Sequence, residues 1–155
     1  HLHCDHIYGC KALQDATSAP ILAHPDDEYL METELGGGGM MGLPMVDPFS
    51  REPLEAGQAT FLGLDCTVLH TPGHSPGSLS LYFPDAGAVF TGDLLFRRSI
   101  GRTDFPGGSM ETLLASLRDK IFSLPEETRV FSGHTPETTV GEEKHHNPFL
   151  GAFQP

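Results

Sequence analysis

The first six residues, His1-Leu2-His3-Cys4-Asp5-His6, decide how this chain is read, because they pack three imidazoles and a carboxylate into one hexapeptide. Neutral imidazole is the commonest biological ligand for zinc and iron, and carboxylate oxygen is its usual companion. If Leu2 is extended, His1 and His3 project to one face, since strand side chains alternate with period two. A turn after that strand aims Asp5 and His6 at a second point, so one hexapeptide can feed two metal ions. A purification tag is the plain alternative, but a tag seldom interleaves Asp with His and runs straight into an apolar segment. The same alternation turns Cys4 away from His1 and His3, outside the expected ligands.

Working outward, three later fragments supply what such a site still lacks. His70-Thr71-Pro72-Gly73-His74-Ser75-Pro76-Gly77 follows the apolar-rich run 66–69, and its Pro and Gly residues put His74 on a short rigid loop. Thr91-Gly92-Asp93 follows the apolar run 88–90, and Ser132-Gly133-His134 follows Arg129-Val130-Phe131. Both place a polar side chain at a strand end flanked by Gly, where an α/β scaffold presents chemistry on a fixed strand and an open loop. His24 precedes Pro25 at another strand end and reads as a structural or capping residue. His70 reads as a hydrogen-bonding or supporting residue, because turn-rich backbone does not aim it and His74 at one ion. His145 and His146 are neighbours on a helix and face different directions, into solvent.

With these residues in hand, the chain resembles a metallo-β-lactamase-fold hydrolase of the glyoxalase II-like group. The hexapeptide matches the group's H-x-H-x-D-H motif, and His74, Asp93 and His134 match its later ligands. Thr91-Gly92-Asp93-Leu94-Leu95-Phe96, Ile100-Gly101-Arg102-Thr103-Asp104 and Thr138-Thr139-Val140-Gly141-Glu142-Glu143-Lys144 are also similar to it. The resemblance spans nearly the whole chain; its seven-ligand set is specific for the superfamily and much less so for substrate. It implies an α/β fold, the metallo-β-lactamase αββα sandwich, as one domain over residues 1–155. In this fold the motif follows N-terminal strands, so the chain is expected to be an N-terminally truncated fragment lacking them.

The resemblance also implies a chemistry. One metal takes His1, His3 and His74, the other takes Asp5, His6 and His134, and Asp93 bridges them, which makes Asp5 and Asp93 the expected catalytic carboxylates. The cofactor is two divalent ions, zinc by expectation, with iron or manganese as alternatives. A hydroxide bridging the two ions then attacks a small thioester such as a hydroxyacyl-glutathione, with a metal acting as Lewis acid and no serine nucleophile. Arg102 is the candidate for a substrate carboxylate, against the plain reading of a structural ion pair. Where the group often carries a tyrosine after the last histidine, this chain has Thr135-Pro136. Two other readings stay open. Persulfide dioxygenases of the same fold use a single iron on the equivalents of His1, His74 and Asp93, and a 2-His-1-carboxylate set suits iron and oxygen. The third is an inactive metal-binding fragment.

Composition narrows the partners. A formal net charge of −12 over 155 residues argues against a nucleic-acid backbone, which needs a basic footprint. An anionic small molecule is still allowed, drawn by the metals and by Arg97, Arg98 and Arg102. No apolar run approaches the ~18 residues of a membrane span, so no membrane partner is expected. Three cysteines without C-x-x-C spacing suit a reducing compartment, and the cytoplasm is the expected location.

The remaining pattern predicts alternating elements. A helix is expected from Asp5 to about Asp15, with Ile7, Cys10, Ala12 and Leu13 as its apolar positions, weakened by Gly9. A short strand over 20–23 leads through His24 into a helix from Pro25 to about Glu32, with acidic residues in its first turn. Residues 36–39 with Met40, Met41 and Met45 read as a flexible connector or as a flap whose methionines contact varied substrates. Strands are expected over 58–62, 65–70, 78–82, 88–91 and 128–131. A helix from Ser109 to about Phe122 buries Leu113, Leu114, Leu117 and Ile121, and a last helical stretch covers 140–146.

Overall fold

The computed structural model describes residues 1–39 and 42–153, and the chain divides into two compact units, His1–Glu55 and Ala56–Pro155. The first unit opens with α1 (Cys4–Ile7) and α2 (Cys10–Thr17), where the sequence predicts one continuous helix. Gly9 is the residue before α2 and separates the two: it has poor helix propensity and no side chain to hold the turn together. α2 fully buries none of its residues. Ile7 is buried, but Ala12 is exposed and Leu13 is 61% exposed, so two expected core positions lie in solvent. After α2 the chain reverses at Ser18, which adopts a left-handed φ of 58° and donates its N–H to Gln14.

Strand β1 (Leu22–Ala23) pairs in parallel with β2 (Glu52–Pro53), a partner the sequence does not announce. Between them, Pro25–Glu32 is a 3₁₀ helix rather than an α-helix, and α3 (Glu34–Gly37) follows. Asp27 is buried within the 3₁₀ stretch and accepts the Leu2 N–H at 3.2 Å, which ties the opening motif to this element. Leu2, Ile7, Ala23, Leu30 and Phe49 form the core of this unit. The glycine-rich segment is partly packed. A Cβ on Gly36 would lie 2.5 Å from the Leu30 carbonyl oxygen and 3.0 Å from that of Leu2, so the glycine permits a close backbone approach. Gly38 forms a bridge with Met45, whose side chain is exposed. Met40 and Met41 of the expected flap lie outside the described residues.

The second unit is built on a six-stranded sheet. Its strands are β3 (Gly57–Phe61), β4 (Leu64–His70), β5 (Leu79–Phe83), β6 (Ala88–Gly92), β9 (Arg129–Ser132) and β10 (Thr138–Thr139), in the spatial order β10-β9-β6-β5-β4-β3. All neighbours are antiparallel except β6 and β9, which run parallel. A parallel pair needs a long crossover. Here it carries the hairpin β7 (Leu95–Phe96) and β8 (Ser99–Ile100) and the helix α4 (Met110–Ser116), which continues as a π-helical turn over Leu117–Ile121. The last α-helix, α5 (Val140–His146), has the expected bounds. Ser109 caps α4 by accepting the Thr112 N–H at 3.3 Å, and Leu113, Leu117 and Ile121 make a fully buried stripe at four-residue spacing. They pack with Val89, Leu94, Leu95, Ile100, Val130, Val140 and Leu150 into the core of this unit. No helix among the described residues is long and apolar enough to cross a membrane.

The pairing directions have a consequence for the site. β4 is antiparallel to β5, β5 to β6, and β6 is parallel to β9. The C-terminal ends of β4, β6 and β9 therefore share one edge of the sheet, and the segments that follow them carry His74, Asp93 and His134.

Candidate metal centre

In the second unit those three residues meet. His74 Nε2 lies 3.6 Å from Asp93 Oδ2, and His134 Nε2 lies 3.3 Å from the same oxygen. His74 and Asp93 are buried, while His134 is half-exposed with its ring 6.0 Å from that of Phe96. His74 Nδ1 lies 2.8 Å from the Arg102 carbonyl oxygen. A carbonyl only accepts, so Nδ1 carries a proton, and in the neutral ring that leaves the lone pair on Nε2, the nitrogen turned toward Asp93. That is how metal-binding histidines are usually held. Backbone bonds fix the neighbourhood: Leu94 donates to Thr91, Gly101 to Leu94, and Gly133 to Gly92. Gly101 is pressed against the site, because a Cβ there would sit 1.7 Å from the Asp93 carbonyl oxygen and 3.4 Å from His74 Nδ1.

In the first unit the opening motif gathers its own donors. His3 is extended and precedes α1, so the strand-like start holds only through His3 before the helix begins. The His1 ring packs edge-on to His3 at 4.8 Å and lies 4.2 Å from His6, and Asp5 Oδ2 is 3.6 Å from His6 Nε2. Cys4 is buried in α1. The chemistry of both donor sets fits divalent cations. One offers three imidazoles and a carboxylate, and the other offers two imidazole Nε2 atoms around a single carboxylate, with one tautomer fixed by a carbonyl.

The other histidines have structural work. His24 Nδ1 accepts the Asp26 N–H at 3.2 Å and so caps the 3₁₀ helix. His70 Nε2 lies 2.8 Å from the Pro76 carbonyl and braces the loop that carries His74. His145 and His146 are exposed on α5, near Glu126 and Glu142 respectively. Arg102 forms a two-pronged ion pair with Asp104, both contacts 2.7 Å, and its guanidinium lies 3.8 Å above the Phe105 ring. That pair holds the Asp104 carboxyl at about 2.

Sequence reasoning missed two positions here and one pattern. The Arg102 backbone carbonyl and the missing Cβ of Gly101 both set the geometry, and only the Gly101-Arg102 neighbourhood hinted at them. By letters, Gly73-His74-Ser75-Pro76-Gly77 also matches the G-x-S-x-G of a serine nucleophile elbow. The structure removes that reading. Ser75 is 1% exposed, its Oγ lies 2.8 Å from Ser78 Oγ, and the segment joins two strands rather than a strand and a helix.

Known proteins show the same arrangement of sequence and fold. The chain is 41% identical to the probable metallo-hydrolase YqgX of Bacillus subtilis over 156 residues, covering 99% of this chain and 74% of that protein. It is 36% identical to the hydroxyacylglutathione hydrolase GloC of Haemophilus influenzae, covering 98% and 74%. Among solved structures, the BLEG-1 B3 metallo-β-lactamase superposes with a TM-score of 0.90 at 42% identity, covering 97% of this chain and 74% of that one. TTHA1623 in a di-iron-bound form superposes with a TM-score of 0.87 at 44% identity and the same coverage. The family profile of the metallo-β-lactamase superfamily matches residues 1–134. By profile, relatives and metallo-β-lactamase fold alike, the chain belongs to the metallo-β-lactamase superfamily.

Proposed function

We propose that this protein is a metal-dependent hydrolase of small thioesters, with hydroxyacyl-glutathione as the model substrate. His1, His3 and His74 would hold one divalent ion, Asp5, His6 and His134 would hold the other, and Asp93 would serve both. Zinc is the expected metal, and the di-iron form of TTHA1623 makes iron the first alternative. The observation that carries the reading is the convergence of His74 and His134 on Asp93 Oδ2, with His74 locked by the Arg102 carbonyl. Bound divalent ions would supply Lewis acidity and draw the pKa of water toward neutrality.

The chain's own residues do the rest. Asp93 is the one member of the second-unit set with two donor atoms, which suits a bridging role. The carbonyl lock keeps His74 from turning its protonated nitrogen inward. The Arg102 guanidinium is offered to a substrate carboxylate, with Phe105 stacking beneath it and Asp104 holding it in place until the substrate arrives. The thioester assignment draws on the relative GloC, named a hydroxyacylglutathione hydrolase. Three free cysteines among the described residues suit a reducing compartment, and we place the protein in the cytoplasm.

The test uses full-length, metal-loaded protein with a hydroxyacyl-glutathione thioester, following free thiol, dissolved oxygen and bound metal together. Thiol release at constant oxygen, with two ions bound, supports the hydrolase. Oxygen uptake with a glutathione persulfide and no thioester cleavage overturns it in favour of a mononuclear iron dioxygenase.

A further inference from the structure

Arg97 and Arg98 form the two-residue turn between β7 and β8. Arg98 adopts a left-handed φ of 59°, unusual for a residue with a side chain, so something must hold it there. Its N–H donates to the Glu143 carboxylate at 2.8 Å, and its guanidinium donates to the Glu142 carbonyl and carboxylate, both at 2.9 Å. Glu143 is fully buried and also accepts from Thr138 Oγ1 at 2.7 Å and from Asn147 Nδ2 at 2.8 Å. Asn147 reaches back to the Ser99 carbonyl at 2.9 Å. The hairpin is therefore braced from below, and all of that bracing leaves the Arg97 side chain out.

Arg97 is instead presented at the surface beside the metal-site segment: its N–H donates to Thr135 Oγ1 at 2.9 Å, one residue past His134. A cavity of about 320 Å³ opens there, lined by Arg97, Glu137, Thr138, Thr139 and Glu142. Both oxygens of Glu137 are held by Arg129, at 2.7 and 2.9 Å. Glu142 meets Arg98 through Oε2. Arg97 is the one guanidinium in that lining and faces the carboxylates of Glu137 and Glu142, which Arg129 and Arg98 hold from behind, so both signs of charge meet at the cavity. A phosphate dianion would suffer from the two carboxylates. A zwitterion would not, since its carboxylate can take Arg97 while its ammonium takes Glu142 and a threonine hydroxyl.

We propose that the cavity beside Arg97 binds the α-amino-acid end of the substrate, with the carboxylate on Arg97 and the ammonium on Glu142. This deepens the thioester reading by naming what the far end of the substrate carries, and rests on that reading only for the bond that is cleaved. The experiment titrates S-methylglutathione, a thioether with no bond to hydrolyse and a free α-ammonium and α-carboxylate, into full-length metal-loaded protein by calorimetry. Arg97→Gln raises Kd about tenfold, Arg97→Lys raises it less, and N-acetylation of the probe weakens binding to the unaltered protein. Among the described residues the Arg97 side chain makes no hydrogen bond or ion pair, so both variants keep the fold. A Kd for Arg97→Gln within about twofold of the unaltered protein, a difference too small for a lost charge-assisted contact, overturns the proposal, as does failure of the unaltered protein to bind the probe. Thioester turnover is measured separately. Arg97-dependent binding without thiol release sinks the hydrolase reading and keeps the pocket, and turnover with Arg97-indifferent binding does the reverse.

Discussion

Gly101→Ala is the sharpest probe of how the metal centre is supported, because the structure states what the added methyl would meet. Its Cβ would lie 1.7 Å from the Asp93 carbonyl oxygen, 2.9 Å from the Asp93 carbonyl carbon and 3.4 Å from His74 Nδ1. Two of these contacts are with backbone, which cannot swing aside as a side chain can. Relief requires the Asp93 carbonyl to retreat by more than an ångström, and that strains the Gly101 N–H bond to Leu94 at 3.2 Å. The Asp93 carboxylate moves with its backbone, and the 3.3 and 3.6 Å approaches of His134 and His74 move with it. Overpacking of this kind costs about 1–3 kcal/mol of stability. Disturbing the support of metal ligands weakens metal affinity about 10–100-fold. Urea unfolding reads the first effect, and competition with a chromophoric chelator reads the second. Gly151→Ala is the control, since a Cβ there meets nothing within 4 Å. An unchanged unfolding midpoint refutes the packing argument. Lost stability with unaltered metal affinity refutes the claim that Gly101 positions a ligand.

Asp93→Ala is expected to abolish binding of both ions, because it removes the donor proposed to serve both and would leave two cations repelling each other, whereas His70→Ala keeps metal content since its bond runs to the Pro76 carbonyl; elemental analysis of both variants checks this. Arg102→Ala keeps the backbone carbonyl that holds His74, so metal content should stay constant while KM for an anionic thioester rises, and steady-state kinetics with metal analysis separates the two. Leu117→Ala empties a fully buried position and should destabilise the protein by about 2–5 kcal/mol, measured by chemical denaturation. Asp104 is depressed by its bond to Arg102, so its contribution is present above the unfolded carboxylate value of about 3.9 and disappears as pH falls through about 2. Asp104→Asn should therefore flatten that acid limb of the stability profile.

The strands of the second unit were legible because each pairs an apolar run with turn chemistry: 64–70, 79–83, 88–92 and 129–132 fall within a residue or two of expectation. The β7–β8 hairpin was not, since its turn is Arg97-Arg98 rather than the Asn-Gly or Asp-Gly that betrays such turns. Its left-handed residue is held by Glu143, forty-five positions away, which local pattern cannot reveal. In the first unit, Leu13 satisfied helical periodicity yet faces solvent, because α2 lies at the surface and fully buries none of its residues. The β1–β2 pairing was hidden by strands of two residues each. At the candidate site, donor identity is written in the side-chain letters, so His74, Asp93 and His134 could be named. The Arg102 carbonyl belongs to every residue type alike and leaves no mark on the sequence.

On the proposed two-ion reading, the sheet order gives a reason for an aspartate, rather than another histidine, at position 93. Along the sheet the strands run β9-β6-β5-β4, and β5 points the opposite way from the other three. At the edge where β4, β6 and β9 end, the residue after β6 therefore stands between the loops after β9 and after β4. An imidazole in a fixed tautomer offers one lone pair, and the His74 bond to Arg102 fixes it. A carboxylate offers two oxygens that can face different ions. The middle position is the one from which a single side chain can be approached by both flanking histidines, and there the chain places the only group of the three with two donor atoms. Both imidazoles turn their Nε2 toward it. On the proposed two-ion reading, strand order thus singles out the position after β6 as the one to bridge, where the last ladder residue, Gly92, leads directly into a buried aspartate.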